Sequence, residues 1–222
     1  DWLEQECRLA GVELVAEHEG ALEELDAHPG PVVCCTGSRP GRRTFEVEPF
    51  ASVLSAAEVL AAEPIVGENA LNPAVVFDPI GGPIGIGTAE YLVSLGSSVT
   101  LVTPDFVPGD QLARTGDLAP ASVRLQQGGV EILRRTLVRS VSSTAVTVEH
   151  RDSGELRTLE ASALVDAGHR LPDDSLFRAV VAQRQASCAG DAVAPRSVLE
   201  AVLEGRRLAM SLVQPRRLGV LA

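Results

Sequence analysis

At 222 residues the chain is long enough for one large domain or two small ones, and 45% apolar residues exclude wholesale disorder. A formal charge of −11 argues against a nucleic-acid partner, because phosphate backbones are held by basic faces. No apolar run approaches the ~20 residues of a membrane span, so a cytoplasmic protein without membrane contact is expected.

Aromatic residues make up only 3% of the chain, so the core must be built from Val, Leu, Ile and Ala. That bias suits a parallel sheet covered by helices, whose strands read as continuous apolar runs. The four cysteines, Cys7, Cys34, Cys35 and Cys188, form no CxxC pair and no metal spacing with the histidines. They read as reduced thiols, and no metal ligand is assigned.

In chain order, Trp2, Leu3, Cys7 and Leu9 recur at near-helical intervals until Gly11, which predicts a helix over 1–10. A short strand is expected at 11–16, a helical turn at 21–28, and a strand over 31–35, "PVVCC". The turn formers of "TGSRPG" predict a loop at 36–41. Residues 42–72 read as a connector with one short helix, "SAAEVLAAE". A strand, glycine turn, helix and second strand follow in "PAVVFDPIGGPIGIGTAEYLVSLGSSVTLVTP" (73–104). A helix is predicted at 116–127. From Gly129 the period changes to two in "VEILRRTLV", "AVTVEHRD" and "ELRTLEASA", with Ser153 and Gly154 as a hairpin break. "SALVDAG" (162–168) reads as an apolar strand. A last helix, 196–213, places Val198, Leu199, Val202, Leu203 and Met210 on one face.

The glycine turn invites a test against the dinucleotide fingerprint, which needs glycines at i, i+2 and i+5. Gly85 and Gly87 supply the first two places, but Glu90 stands at the third; counting from Gly82 puts Ile84 in the middle place. Pro79 and Pro83 each remove an amide donor. Donors and a helix N-terminus remain at Gly85, Ile86, Gly87 and Thr88, so Gly82, Gly85, Ile86 and Gly87 are candidates to face a phosphate. Thr103 stands where an acid would grip a ribose 2′-hydroxyl, which disfavours NADH and is compatible with NADPH or with no nicotinamide cofactor. Gly168 and His169 follow a strand end, where ligands collect in open α/β sheets. No Ser-His-Asp or Cys-His set stands out, and no catalytic residue is assigned.

Two further motifs carry a resemblance. "VVCCTGSRP" (32–40) resembles the Ala-Thr-Gly strand-loop of two-dinucleotide-domain flavoproteins, with Cys35 in the alanine place. "SCAGDAVAPRSVLEAVLEGRRLA" (187–209) is similar to their closing flavin motif of strand, Gly-Asp and helix. "LVDAGHRLP" (164–172) resembles the crossover between their NAD-type and flavin-type domains. The chain as a whole resembles the C-terminal region of the Old Yellow Enzyme-like tandem oxidoreductases, a group that includes 2,4-dienoyl-CoA reductase, trimethylamine dehydrogenase and histamine dehydrogenase. Its glycine turn and its ending look closest to members associated with the mycofactocin system.

The resemblance implies a Rossmann-like α/β fold, with a parallel sheet, helices on both faces and an antiparallel β-meander. Residues 71–163 would form the NAD(P)-type domain, and 1–70 with 164–222 a flavin- or ADP-type domain lacking its first βαβ unit. The chain would then be a piece of a longer protein, whose FMN-binding barrel and [4Fe–4S] centre lie outside it. Asp191 would hydrogen-bond the ribityl chain of FAD, with Gly37 and Gly190 lining the same group. The implied function is an electron relay between a pyridine nucleotide, NAD(P)H, and a flavin. The alternative is a degenerate scaffold or ADP-binding domain, as in the trimethylamine dehydrogenase branch. A nucleotide cofactor is the expected partner, and pairing with a second copy is an open expectation. A Rossmann-type transferase would leave the Gly190–Asp191 motif and its helix without a purpose.

Overall fold

The computed structural model describes residues 2–20, 22–63 and 71–213. Backbone contacts divide the chain into two compact units, Arg39–Leu171 and the residues up to Ser38 together with those from Pro172 onward. The connector 42–63 contributes strands and a helix to the central unit.

The Arg39–Leu171 unit is built on a five-stranded sheet. Its strands, in spatial order, are β4 (Val53–Ser55), β11 (Ala163–Asp166), β5 (Ala74–Phe77), β6 (Val99–Val102) and β7 (Glu131–Leu133). Every pairing in it is parallel. All four residues of β5 are buried, because its two faces are both covered. Alternation assigns the faces: Ala74 and Val76 point one way, Val75 and Phe77 the other.

On the first face lie α2 (Ala56–Ala61), α3 (Pro83–Ser94) and α4 (Leu118–Gln127). Val59, Ile86, Ala89, Leu92, Ala121 and Leu125 supply their buried contacts. The short α2 starts at a capping box: Ser55 Oγ accepts the Glu58 N–H at 3.2 Å, and the Glu58 carboxylate accepts the Ser55 N–H at 2.7 Å. On the second face lies an antiparallel meander of β8 (Thr136–Val141), β9 (Ala145–His150) and β10 (Leu156–Glu160), with β3 (Glu46–Val47) added in parallel to β8. Val138, Val141, Val146, Val148 and Leu159 pack there against Val75, Phe77, Val102 and Leu164.

In the other unit, β1 (Val32–Cys34) pairs in parallel with β13 (Ala186–Cys188). The same unit also contains α1 (Trp2–Leu9), a 3₁₀ turn at Leu22–Ala27, α5 (Ser175–Val181), which packs on both strands, and α6 (Val198–Val213). The Arg184 guanidinium donates to the carbonyls of Leu25, His28 and Gly30, tying the end of the 3₁₀ turn to the strand that follows α5. The chain passes between the units along β2 (Ser38–Pro40) and β12 (Arg170–Pro172), which pair with each other.

Three expectations are corrected. Residues 11–16 form no strand: Val12, Leu14 and Val15 are exposed and meet no partner strand. The predicted loop 36–41 contains β2, and the connector contains β3 and β4. The period-two run 130–138 is not one strand, because Arg135 adopts φ 54° and divides β7 from β8. The apolar face of α6 is uncovered, with Val198 80% and Val202 61% exposed. Part of the expected connector, 64–70, lies outside the described residues. Among the described residues, no helix is long and apolar enough to cross a membrane.

Candidate functional site

In the unit containing β1 and β13, both strands run in the same direction and each passes from its carboxyl end into a glycine loop. After Cys34 come Cys35, Thr36, Gly37 and Ser38; after Cys188 come Ala189, Gly190, Asp191 and Ala192. Gly37 and Gly190 adopt φ +80° and +70°, the left-handed region that glycine enters at no steric cost. Ser38 Oγ donates to Asp191 Oδ2 at 3.1 Å, so the two loops meet at that carboxylate. The Asp173 N–H donates to the Gly37 carbonyl at 3.1 Å, and the Thr36 hydroxyl donates to the Asp173 carbonyl, which fixes the first loop.

The second loop is fixed from α6. The Gly190 N–H donates to Glu204 Oε2 at 2.9 Å, and Glu204 is in turn held by Arg196. A Cβ at Gly37 would meet nothing within 4 Å, so a ligand can approach that backbone. Asp191 accepts a hydrogen bond at one carboxylate oxygen and has a second to offer. Hydroxyl groups of a ribityl or ribose chain are donors of the kind this arrangement takes.

The glycine turn of the other unit is built differently. Asp78 directly follows β5, and its backbone N–H donates to the Val102 carbonyl of β6. Its side chain turns back into the loop, where Oδ1 accepts the N–H groups of Ile80 at 3.1 Å and Gly81 at 3.0 Å. Asp78 is only 1% exposed, and its Oδ2 is buried without a hydrogen-bond partner. Burial pushes its carboxyl above the usual range, the two amides oppose that, and Asp105 and Asp110 add to it.

Those two neighbours line the same turn. A Cβ on Gly81, which has φ +71°, would lie 2.7 Å from Asp110 Oδ1 and 2.8 Å from Asp105 Oδ2. Thr103, fully buried, accepts the Asp105 N–H at 3.2 Å and so helps to place that carboxylate. The Ile80 and Gly81 amides of the turn are therefore taken by a carboxylate, and Asp105 and Asp110 make the surroundings anionic. A pyrophosphate does not fit this turn as it stands.

The glycines nevertheless have a spacing that counting from Gly82 or Gly85 missed. Gly85 is the residue that packs α3 closely on the strand: a Cβ there would lie 2.5 Å from both Cβ and Cγ of Asp78. Counted back from it, the fingerprint places fall on Ile80, Gly82 and Gly85, with only the first departing from glycine. Gly82 caps α3, and Pro83 occupies the first helical position. Ile86 is 3% exposed and packs at Gly109 and Leu112, within the core. Gly87 has no atom within 4 Å of a would-be Cβ. Glu90 lies away from the strand and pairs with Arg124 at 2.9 Å.

Gly168 follows β11 at the same sheet edge as Asp78, since Asp166 is the register partner of Phe77. Its N–H donates to Asp166 Oδ1 at 2.9 Å, and a Cβ there would meet that oxygen at 2.6 Å. His169 contributes its carbonyl, which accepts the Gly41 N–H at 2.8 Å. Of the candidate residues, Gly37, Gly190 and Asp191 gather at one pair of loops. Gly82, Gly85, Ile86, Gly87, Thr103 and Gly168 belong to the other unit. Asp78 is the residue that spacing did not single out; an acid directly after an apolar strand and before a glycine turn was its signal.

With this geometry in hand, solved structures place the fold. 2-Naphthoyl-CoA reductase is similar with a TM-score of 0.81 and 22% identity, over 93% of this chain and 31% of that one. Histamine dehydrogenase from Rhizobium sp. 4-9 gives a TM-score of 0.75 and 23% identity, over 84% of this chain and 31% of its own. A flavoprotein disulfide reductase, RclA from Escherichia coli, gives 0.61 and 16% identity, over 82% and 45%. The chain shares the mixed α/β, Rossmann-type fold of these proteins. It resembles part of the tandem flavoenzymes and spans about a third of the first two. No protein-family model and no curated protein matches it.

Proposed function

We propose that this chain is the nucleotide-binding portion of a cytoplasmic, flavin-dependent oxidoreductase, and that it holds an FAD or ADP group at the loops following β1 and β13. The observation that carries this reading is the Ser38–Asp191 hydrogen bond between two loops whose glycines take left-handed conformations. Two adjacent parallel strands ending in such loops form a crevice of the sort that nucleotides enter in α/β sheets. Gly37 offers open backbone, and Asp191 accepts from ligand hydroxyls while Ser38 fixes its orientation. Glu204 holds the Gly190 loop in place. A flavin, when bound, supplies the electron transfer, and the chain supplies placement and electrostatics.

The filled glycine turn supports a role like that of the trimethylamine dehydrogenase branch, where ADP rather than nicotinamide is bound. A second reading is an NAD(P)H-to-flavin relay of the 2,4-dienoyl-CoA reductase kind. The intact parallel βαβ unit and the similarity to 2-naphthoyl-CoA reductase favour it. In either reading an FMN-binding barrel and a [4Fe–4S] centre belong to other parts of the full-length protein.

Titration calorimetry of the chain with ADP, FAD and NADPH separates the readings. ADP or FAD is expected to bind, and Asp191→Ala to weaken that binding about ten-fold or more, because a hydrogen bond to a charged group contributes about 1.5–3 kcal/mol. Unchanged ADP and FAD affinity in Asp191→Ala would remove the proposed site. Tight NADPH binding, lost on substitution at Gly82 and retained in Asp191→Ala, would favour the second reading.

A further inference from the structure

We propose that Cys34 and Cys188 are a thiol-exchange pair, which closes to an intramolecular disulfide when the protein meets a low-molecular-weight disulfide. The two residues are direct partners in the parallel register of β1 and β13, following Val32 with Ala186 and Val33 with Ser187. Neighbouring strands lie about 4.7–4.9 Å apart. A disulfide spans about 4.4–6.8 Å between Cα atoms. Register partners project to the same face of a sheet, so the two sulfurs share a side, whereas Cys35 leaves the strand and is exposed.

The electrostatics agree with that proximity. Burial pushes the Cys188 thiol up, and Cys34 and then Cys35 push it further; burial and then Cys35 push up that of Cys34. None of the four cysteines is joined in a disulfide.

The order of events follows from access. Within the pair, Cys34 is 3% exposed and Cys188 half-buried, so a soluble disulfide reaches Cys188 before Cys34. The Cys188 thiolate attacks one sulfur of the small disulfide, forming a mixed disulfide and releasing one small thiolate. The Cys34 thiolate then attacks Cys188 Sγ and displaces the second. Two protein thiols are oxidised, one small disulfide is reduced to two thiols, and the two cysteine protons end on those thiols. Raised thiol values mean that the exchange speeds up as pH rises. The bond would join the residues that lead into the Gly37 and Gly190 loops, whatever those loops bind.

The test is treatment of the purified chain with oxidised glutathione at about pH 8.5, where more of a raised thiol is ionised, followed by thiol titration and a non-reducing peptide map. The Cys188 peptide is expected to be joined to the peptide carrying Cys34 and Cys35, with glutathione adducts confined to the accessible Cys7 and Cys35. Cys35→Ser, at an exposed position, is expected to keep the link, and Cys34→Ala and Cys188→Ala each to abolish it. The proposal is overturned by loss of the link in Cys35→Ser, by its persistence in Cys34→Ala, by disulfide-bonded dimers, or by a glutathione adduct on Cys188 that Cys34 does not displace. The Cys35→Ser map decides alone if the buried variants fail to fold.

Discussion

Asp78 shows how one side chain sets the character of a turn. It satisfies Ile80 and Gly81 with one oxygen and leaves the other buried and unpartnered. Because burial raises its carboxyl, the folded chain binds that proton more tightly than the unfolded chain. Its contribution to stability is therefore complete below the ordinary carboxylate range and is lost as pH rises through the raised folded value. Asp78→Asn keeps an acceptor for the two amides and removes the charge. It is expected to stabilise the chain by about 1 kcal/mol or more at neutral pH, given what a buried unsatisfied charged group costs. That gain should shrink as pH falls, which melting curves across the acid range will show. A variant that melts lower than wild type at pH 7 would contradict the assignment. The sequence displays this aspartate plainly, yet its depth and its missing partner depend on Asp105, Asp110 and Gly85 converging on it, which no local spacing encodes.

At the level of elements, α3 and its flanking strands were readable because Ala74–Phe77 and Val99–Val102 are apolar runs bounded by turns. The fingerprint register depends on which glycine abuts the strand, which counting along the sequence does not reveal. Two neighbouring glycines of α3 separate these roles. Gly85→Ala would drive a Cβ into Asp78 and is expected to cost about 1–3 kcal/mol through overpacking. Gly87→Ala meets open space in the same helix and is expected to be neutral or to stabilise by up to about 1 kcal/mol. Chemical denaturation of both variants checks the pair, and equal effects would refute the packing account. Among the elements that escaped the sequence reading, β2, β3 and β4 are two or three residues long. Such segments are strands only because β12, β8 and β11 lie alongside, so periodicity has nothing to register. The division of 130–138 turned on a non-glycine residue, Arg135, in a left-handed conformation, which propensity disfavours.

For the molecule as a whole, the low aromatic content and the Val-, Leu- and Ala-rich runs announced a covered parallel sheet, and solved structures carry the same fold. The limits of the units were less legible, because the chain leaves and re-enters the central sheet through short strands that look like connector. The candidate residues fall in two units. One pair of loops is open and centred on Asp191, whereas the glycine turn is occupied by its own carboxylate. Hydrogen exchange with mass spectrometry, with and without saturating ADP, tests this most directly. Protection is predicted over 36–38 and 189–192 and none over 79–88; protection over 79–88 with the other loops unchanged would contradict the account.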